Sequence, residues 1–155
     1  MRVLVALGAS LLLGTSLAAQ TPDSSGKAAK ALAWGPAPAV FPAGVKMAVV
    51  SGDPTAAGPF TVQLSMPDGY KIMPHTHPTD ESVTVKKGTL LVGMGDAFDA
   101  GKTNPMATGA SGNVPANMSH FVQAKGATVV EVSTMGPFAL TYVNPSDDPS
   151  RKAAP

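Results

Sequence analysis

From residue 45 onward, the chain alternates short apolar runs with clusters of turn-forming residues. Runs rich in Val, Thr, Phe and Leu are typical of β-strands, and Gly, Pro, Asp and Asn between them are typical of turns. The predicted strands cover residues 45–51, 60–66, 82–85, 89–94, 119–123, 127–133 and 138–143. No stretch of about 10 to 12 residues has a strong helical period, so the pattern predicts roughly eight strands in an antiparallel barrel or jelly roll.

Four segments between these strands are predicted to be turns or loops. They are residues 52–59, residues 67–74, residues 87–88 and the long connection 95–112, and each contains glycine, a strong turn signal. Before the first strand, residues 33–44 alternate Pro with apolar residues. This alternation excludes a helix and predicts an extended strap across the barrel.

The first twenty residues have the pattern of a secretory signal peptide. Arg2 precedes an apolar run over residues 3–13, and small residues follow, with cleavage predicted after Ala18 or Ala19. A membrane anchor is the alternative, but the run is shorter than the roughly 20 residues that span a bilayer. The sequence therefore predicts a secreted or periplasmic protein with no membrane anchor after cleavage. The chain has no Cys, which excludes disulfides and a lipidated cysteine.

The chain of 155 residues has room for one hydrophobic core. We predict a signal peptide over residues 1–19 and a flexible, polar leader over residues 20–33. The barrel domain is predicted over residues 34–146, and a disordered, Pro-rich and charged tail over residues 147–155.

The charge balance argues against a nucleic-acid partner. Arg2 is the one basic residue of the predicted signal peptide, so 10 of the 11 basic residues remain beside all 10 acidic ones. Binding to nucleic-acid phosphates needs a basic stripe, and stacking on bases needs aromatic side chains, which make up only 5% of the chain.

All three histidines fall in two short segments of the predicted barrel. His75 and His77 are two residues apart, so on a strand both imidazoles point to the same face. Glu81 follows with the same parity, although Pro78 makes a bend between them that does not guarantee it. His120 comes from the second segment.

Three imidazoles and one carboxylate form a mixed nitrogen and oxygen ligand set. Such a set suits one divalent transition-metal ion (Fe, Mn, Cu, Ni, Co or Zn) and is poorly suited to Ca²⁺, but it does not select among these metals. A metal that prefers five or six ligands would keep positions open for water, substrate or dioxygen.

The two segments resemble the two sequence motifs of the cupin superfamily. The first has Gly69, His75, His77, Glu81 and Gly88, with five, one, three and six residues between successive members. The second has Gly109, Pro115, Asn117 and His120, with five, one and two residues between them. Asn117 stands where the motif usually has Gly, and Asn tolerates the left-handed conformation of that position. Ala124 replaces a frequent Asn.

The resemblance covers about residues 45–143 and implies an all-β fold, the double-stranded β-helix or cupin jelly-roll barrel. It also implies that His75, His77, Glu81 and His120 are the metal ligands. A barrel that binds no metal is disfavoured by the intact ligand set. Homodimers are compatible with this resemblance.

Four other side chains are candidates for the lining of a pocket. Gln63, Thr84, Phe121 and Tyr142 lie on predicted strands, and Tyr142 or Gln63 is a candidate donor to a bound oxygen ligand. A set of methionines near the motifs suggests either soft copper ligands or, more simply, core filling. These methionines are Met66, Met73, Met94, Met118 and Met135.

Two enzyme classes are disfavoured because the sequence lacks the charged side chains that they need in the pocket. A metal-assisted decarboxylase needs a further carboxylate as an acid, and only Glu131 is available on a predicted barrel strand. A sugar-phosphate isomerase needs a cation in the pocket, and Arg151 in the tail is the only Arg after residue 19.

The leading hypothesis, implied by the cupin resemblance, is a metal-dependent oxidoreductase of dioxygenase type. It would act on a small organic molecule, such as an enol or a phenolate. The alternative is a non-catalytic cupin that binds or senses a small molecule in the cell envelope. Under both hypotheses the partner is a small-molecule ligand or substrate.

Overall fold

The computed structural model describes residues 31–152. The predictions for the signal peptide, for most of the leader and for the last three residues of the tail lie outside this range. Within it, no helix is long and apolar enough to cross a membrane.

The described chain is mostly β-structure. The strands are β1 (Gly35–Pro36), β2 (Lys46–Ser51), β3 (Gly58–Met66), β4 (Lys71–Thr76), β5 (Glu81–Met94), β6 (Thr103–Ala107), β7 (Ser111–Val114), β8 (His120–Gly136) and β9 (Thr141–Tyr142). Two 3₁₀ turns, Ala100–Lys102 and Pro145–Asp147, and one short helix, α1 (Pro149–Lys152), complete it.

The longest strand, β8, organises the sheet. One of its edges pairs with β5 from Ser133 back to His120. Its other edge pairs with β3 over its second half and with β4 over its first residues. The order β1-β2-β3-β8-β4-β9, with β6 and β7 both paired to β5, curls the sheet around an interior. This arrangement confirms the predicted all-β jelly roll.

Alternation along β3 shows why the sheet has an inner face. Phe60, Val62 and Leu64 are buried, whereas Thr61 and Gln63 between them are partly exposed. Successive side chains on a strand point to opposite faces, so one face of β3 joins the core and the other meets solvent. Burying the apolar face supplies most of the stabilisation of such a sheet, at about 25 cal/mol per Å².

The predicted turns at residues 67–74 and 87–88 are wrong in part. The turn at Gly69 is present, with φ of 73°, but β4 then starts at Lys71 and includes Pro74. Proline is tolerated there because the pairing of β4 with β8 is irregular between Ile72 and His75. At Gly88 the chain does not turn back. Instead, β5 continues through a bulge, where the register with β8 shifts.

The predicted connection 95–112 is also wrong in part, because it contains β6 and the first residues of β7. Both strands pair with the exposed edge of β5. Their Gly, Pro and Asn residues have low β-propensity, so only the neighbouring strand makes these segments extended. Similarly, the separate strands predicted at 119–123 and 127–133 are one strand, β8.

The strap predicted over residues 33–44 is joined to the sheet but is extended only in part, because it contains β1 and then turns at residues 39–40 and 43–44. Its Pro42 carbonyl accepts a hydrogen bond of 2.7 Å from the Tyr70 hydroxyl, and its Val40 carbonyl accepts one of 2.9 Å from Tyr142. Phe41 is buried and stacks on Phe138. Burial raises the pKa of both tyrosines, that of Tyr142 to about 12, so both hydroxyls stay protonated donors.

Candidate metal centre

The histidine cluster, which comprises His75, His77 and His120, forms where β4 and β8 lie side by side. His75 on β4 is the direct cross-strand partner of His120, the first residue of β8. His77 follows one residue after the end of β4 and shares the face of His75. Register therefore explains why residues 45 positions apart meet, and strand parity explains why His75 and His77 do.

The three imidazoles are close and buried. Ring centroids are 4.2 Å apart for His75 and His120, 5.0 Å for His75 and His77, and 5.4 Å for His77 and His120. One nitrogen from each ring lies within 4.8 Å of the others. The exposed fraction is 2% for His75 and His120 and 9% for His77. The cluster has the proximity that a shared metal ion requires.

Each ring uses its other nitrogen to bond a backbone carbonyl. The Nδ1 atoms of His75, His77 and His120 lie 2.8, 2.7 and 3.1 Å from the carbonyl oxygens of Met73, Ala139 and Met118. A carbonyl only accepts, so each Nδ1 carries the hydrogen and each Nε2 is the nitrogen left to bind a metal ion. Metal-ligating histidines in proteins are oriented in this way.

Burial and the neighbouring imidazoles hold the pKa of His75 well below its ordinary value. Desolvation is the largest cause, because a charged imidazolium that loses water is destabilised. His75 is therefore neutral at physiological pH, which is the form that donates a lone pair to a metal.

Glu81, the first residue of β5, extends its carboxylate to the histidine cluster. Its Oε2 lies 3.3 Å from Nε2 of His120 and 3.6 Å from Nε2 of His77. The bend between His77 and Glu81, which made the parity of Glu81 uncertain, is held by two hydrogen bonds at Asp80. Asp80 accepts a hydrogen bond of 2.8 Å from the Ala116 amide, and its carbonyl accepts one from the Thr134 hydroxyl.

The second segment forms a tight turn beside the first. Asn117 has φ of 60°, and it is the only residue other than glycine with a positive φ in residues 31–152. Its amide donates a hydrogen bond of 2.7 Å to the carbonyl of His77. The conformation expected for the motif's Gly position is confirmed, and this turn holds the backbone of His77 near the start of β8.

These residues fit a transition-metal ion. One nitrogen of each imidazole lies near the other two, and a carboxylate oxygen of Glu81 lies close to His77 and His120. No Lys or Arg lies among these residues to neutralise the carboxylate. The three histidines suit a divalent transition-metal ion, and the Glu81 carboxylate lies beside them.

The histidine cluster and Glu81 lie on the wall of a cavity of about 630 Å³ inside the curled sheet. Strands β3, β4, β5 and β8 supply most of its wall, and the segment 137–140 closes one side. Its apolar lining includes Phe41, Phe60, Val62, Leu64, Ile72, Val83, Leu90, Val92, Val122, Val130, Val132, Phe138 and Leu140. We call it the apolar cavity.

None of the four predicted pocket residues lines the apolar cavity. Gln63 donates to Glu131 at 2.9 Å on the outer face, and Thr84 bonds Ser111 there at 2.8 Å. Phe121 is buried on the outer side against Phe98, and the Tyr142 hydroxyl donates a hydrogen bond to the Val40 carbonyl of the strap. Parity explains three of these placements, because Gln63, Thr84 and Phe121 alternate with inward residues.

The methionines divide between core and surface. Met66 is buried in the core and Met73 packs against it, whereas Met118 and Met135 are exposed. Met94 is exposed and also lines the apolar cavity. The part of the site that sequence reasoning missed is backbone: the carbonyls of Met73, Ala139 and Met118, which no side-chain pattern reveals.

No protein-family model matches the chain, and no curated protein sequence does. Solved structures do. A candidate acetylacetone dioxygenase from Methylibium petroleiphilum is 21% identical, with 89% of this chain and 90% of that chain covered and a TM-score of 0.59.

Two further solved structures have the same architecture at lower coverage of this chain. KdgF from Halomonas sp. is 17% identical, with 69% and 89% covered and a TM-score of 0.53. A cupin superfamily protein from Desulfitobacterium hafniense is 15% identical, with 60% and 78% covered and a TM-score of 0.51. Identities this low establish the fold alone. The described chain has the jelly-roll barrel fold found in cupin superfamily proteins.

Proposed function

We propose that this protein binds one divalent transition-metal ion through His75, His77, Glu81 and His120. With it, the protein would act on a small organic molecule as a dioxygenase-type oxidoreductase. The observation that carries the proposal is the convergence of three oriented nitrogen lone pairs and one carboxylate on the wall of the apolar cavity. The likeness to a candidate acetylacetone dioxygenase is compatible with it but supports only the fold.

The protein's own groups would act mainly by binding and orientation. The carbonyls of Met73, Ala139 and Met118 hold the three rings in place through Nδ1, which leaves Nε2 of each ring to bind the metal. Glu81 contributes the one negative charge of the ligand set. Four protein ligands leave about one or two positions free on an ion that prefers five or six.

The apolar wall would exclude water and hold the carbon skeleton of the substrate next to those free positions. When bound, the ion would supply Lewis acidity and redox chemistry. No second carboxylate, Lys or Arg lines the cavity. Proton transfer would therefore fall to Glu81 or to solvent.

The test compares two Glu→Gln variants. Glu81→Gln keeps the size of the side chain but removes the charge at the cluster. It should lower the affinity for Fe²⁺ or Mn²⁺ by more than the roughly 10- to 100-fold that outer-shell changes cost. Glu131→Gln is the matched control, since Glu131 lies on the outer face and pairs with Lys86 at 3.6 Å. Equal affinities in the two variants would contradict the ligand assignment.

Catalysis needs its own measurement. Oxygen uptake is followed with a panel of enols and phenolates, using protein loaded with each candidate metal, aerobically and anaerobically. His75→Ala is the negative control. Oxygen uptake that is the same in wild type and His75→Ala would reject the oxidoreductase proposal.

A second candidate function is non-catalytic binding or sensing of a small molecule. It is favoured by one observation: within the apolar cavity, no ionisable side chain exists beyond the four proposed ligands, so a separate general acid or base is missing. Ligand-dependent thermal stabilisation without any chemical change in the ligand would favour this function.

Export belongs to the same proposal. Sequencing the N-terminus of protein from the periplasm or medium of expressing cells should give a chain that begins at Ala19 or Gln20. Recovery of the full-length chain from the cytoplasm alone would reject export.

A further inference from the structure

The wall of the apolar cavity has two regions, which differ in the polarity of their side chains. One region is the histidine cluster with Glu81. The other is formed by aliphatic and aromatic side chains from β3, β5 and β8, together with Phe138 and Leu140. Polar side chains in this second region are limited to Thr55, Asn104 and Asn113. All three are exposed residues, which places them where the wall meets solvent.

Among the described residues, no positively charged side chain lines the cavity. Every Lys and Arg whose side chain the structure describes is exposed, and none lines the wall. An anionic group placed among Val62, Val83 and Val132 would lose its hydration without gaining a partner. Burial of an unpaired charge is strongly unfavourable, so such a ligand is excluded. A polyhydroxylated ligand would meet the same difficulty, because its hydroxyls would lack hydrogen-bond partners.

Only one region of the wall offers polar partners away from solvent. There the three imidazoles and the Glu81 carboxylate lie together, whereas Thr55, Asn104 and Asn113 are exposed. A charged or strongly polar group of a ligand therefore finds partners, or a bound ion, at the histidine cluster. A second such group, placed elsewhere inside the cavity, would have no partner.

We infer that the ligand of this cavity has at most one anionic or strongly polar group, held at the histidine cluster, and an uncharged, mainly apolar body that fills the rest. This inference rests on the proposed function and names its substrate class. The volume of about 630 Å³ falls in the range of roughly 300 to 1,000 Å³ typical of sites for small organic molecules. Phosphorylated sugars, free sugars and small dicarboxylates are excluded from the class.

Two fluorescent probes with one skeleton test the inference. N-phenylnaphthylamine is neutral, and anilinonaphthalene sulfonate adds one permanent negative charge. Both are titrated into the metal-free full-length protein at about pH 8. The neutral probe should bind with enhanced emission, and the sulfonate should bind about tenfold more weakly or worse. Equal or tighter binding of the sulfonate overturns the inference.

Neighbouring residues on β5 supply matched variants. Val83 lines the apolar cavity, whereas Thr84 points to the outer face and bonds Ser111. Val83→Lys places a cation in the wall and should reverse the preference toward the sulfonate. Thr84→Lys adds the same charge outside and should leave the preference unchanged. A change of preference in Thr84→Lys and not in Val83→Lys would refute the assignment to this cavity.

Folding of each variant is checked by its thermal denaturation curve. If Val83→Lys does not fold, the preference of the wild-type protein between the two probes still tests the inference. Metal binding is measured separately by titration. A protein that binds metal but prefers the sulfonate overturns the ligand class and leaves the proposed function standing. A protein that prefers the neutral probe without binding metal supports the apolar class and overturns the function.

Discussion

Gly88 is a position where the loss of stability caused by adding a side chain can be worked out from the structure. Its φ is 78°, and a Cβ added there would lie 2.6 Å from the carbonyl oxygen of Ala127 and 2.8 Å from Oγ1 of Thr128. Gly126 is the matched control: its φ is 73°, but nothing lies within 4 Å of an added Cβ. The two alanine variants therefore share the conformational cost and differ only in the clash.

The magnitudes follow from these two terms. A left-handed conformation costs a non-glycine residue about 1–2 kcal/mol, so Gly126→Ala should lower the free energy of unfolding by about 1 kcal/mol. Overpacking adds about 1–3 kcal/mol at Gly88. Relief is difficult because the neighbour is backbone of β8, and the Thr128 hydroxyl is already bonded to the Thr89 carbonyl at 3.0 Å. Gly88→Ala should therefore cost about 3 kcal/mol in total.

Urea denaturation followed by circular dichroism measures both values. With a slope of about 2 kcal/mol per M, the midpoint should fall by roughly 1.5 M for Gly88→Ala and 0.5 M for Gly126→Ala. If residues 87–88 formed a simple turn, the two variants would lose equal stability. Equal losses would therefore refute the bulge and the close approach of β8.

Three further predictions concern the strap and the site. Tyr70→Phe removes the hydrogen bond to the Pro42 carbonyl and should cost about 1–2 kcal/mol in thermal denaturation, with faster amide exchange in the strap; unchanged exchange would contradict the anchoring role. Asn117→Gly should retain wild-type metal affinity, whereas Asn117→Val, β-branched at φ of 60°, should weaken it about tenfold in a metal titration. Equal affinities of these two variants would contradict a role for this turn in positioning the ligands. The lowered pKa of His75 means that, below its ordinary value of 6.5, the unfolded chain takes up a proton that the folded chain does not. The stability of the metal-free protein should therefore fall with pH below 6.5, by up to about 1.4 kcal/mol per pH unit for this group, and stability independent of pH from 7 to 5 would refute it.

The fold class was accessible from sequence because its signal is local. Alternating apolar positions in residues 60–66 and 127–133 predicted strands that the structure contains. The missed strands, β6 and β7, have sequences rich in Gly, Pro and Asn, and they are extended only because β5 offers them a free edge. Pairing with a distant strand is a tertiary effect, and no local window contains it.

The candidate site, too, could be predicted from the sequence only in part. The spacing of His75, His77 and Glu81, together with the one remaining histidine, is enough to predict a metal site from the sequence. Pocket residues were harder to predict, because Gln63 and Thr84 differ from inward neighbours only by parity. A shift of one residue moves a side chain to the opposite face, so an uncertain strand register leaves pocket membership undecided.

The sequence by itself determined the all-β architecture and the shared face of His75 and His77, because strand period is a local property; the resemblance to the cupin motifs added Glu81 and His120 to the predicted ligand set. Only the tertiary structure decided that His75 pairs directly with His120, that three backbone carbonyls turn the imidazoles toward one point, and that the cavity beside them is apolar. These depend on register and curl between strands that are far apart in the chain, and such long-range geometry arises only when the whole sheet has closed around its core.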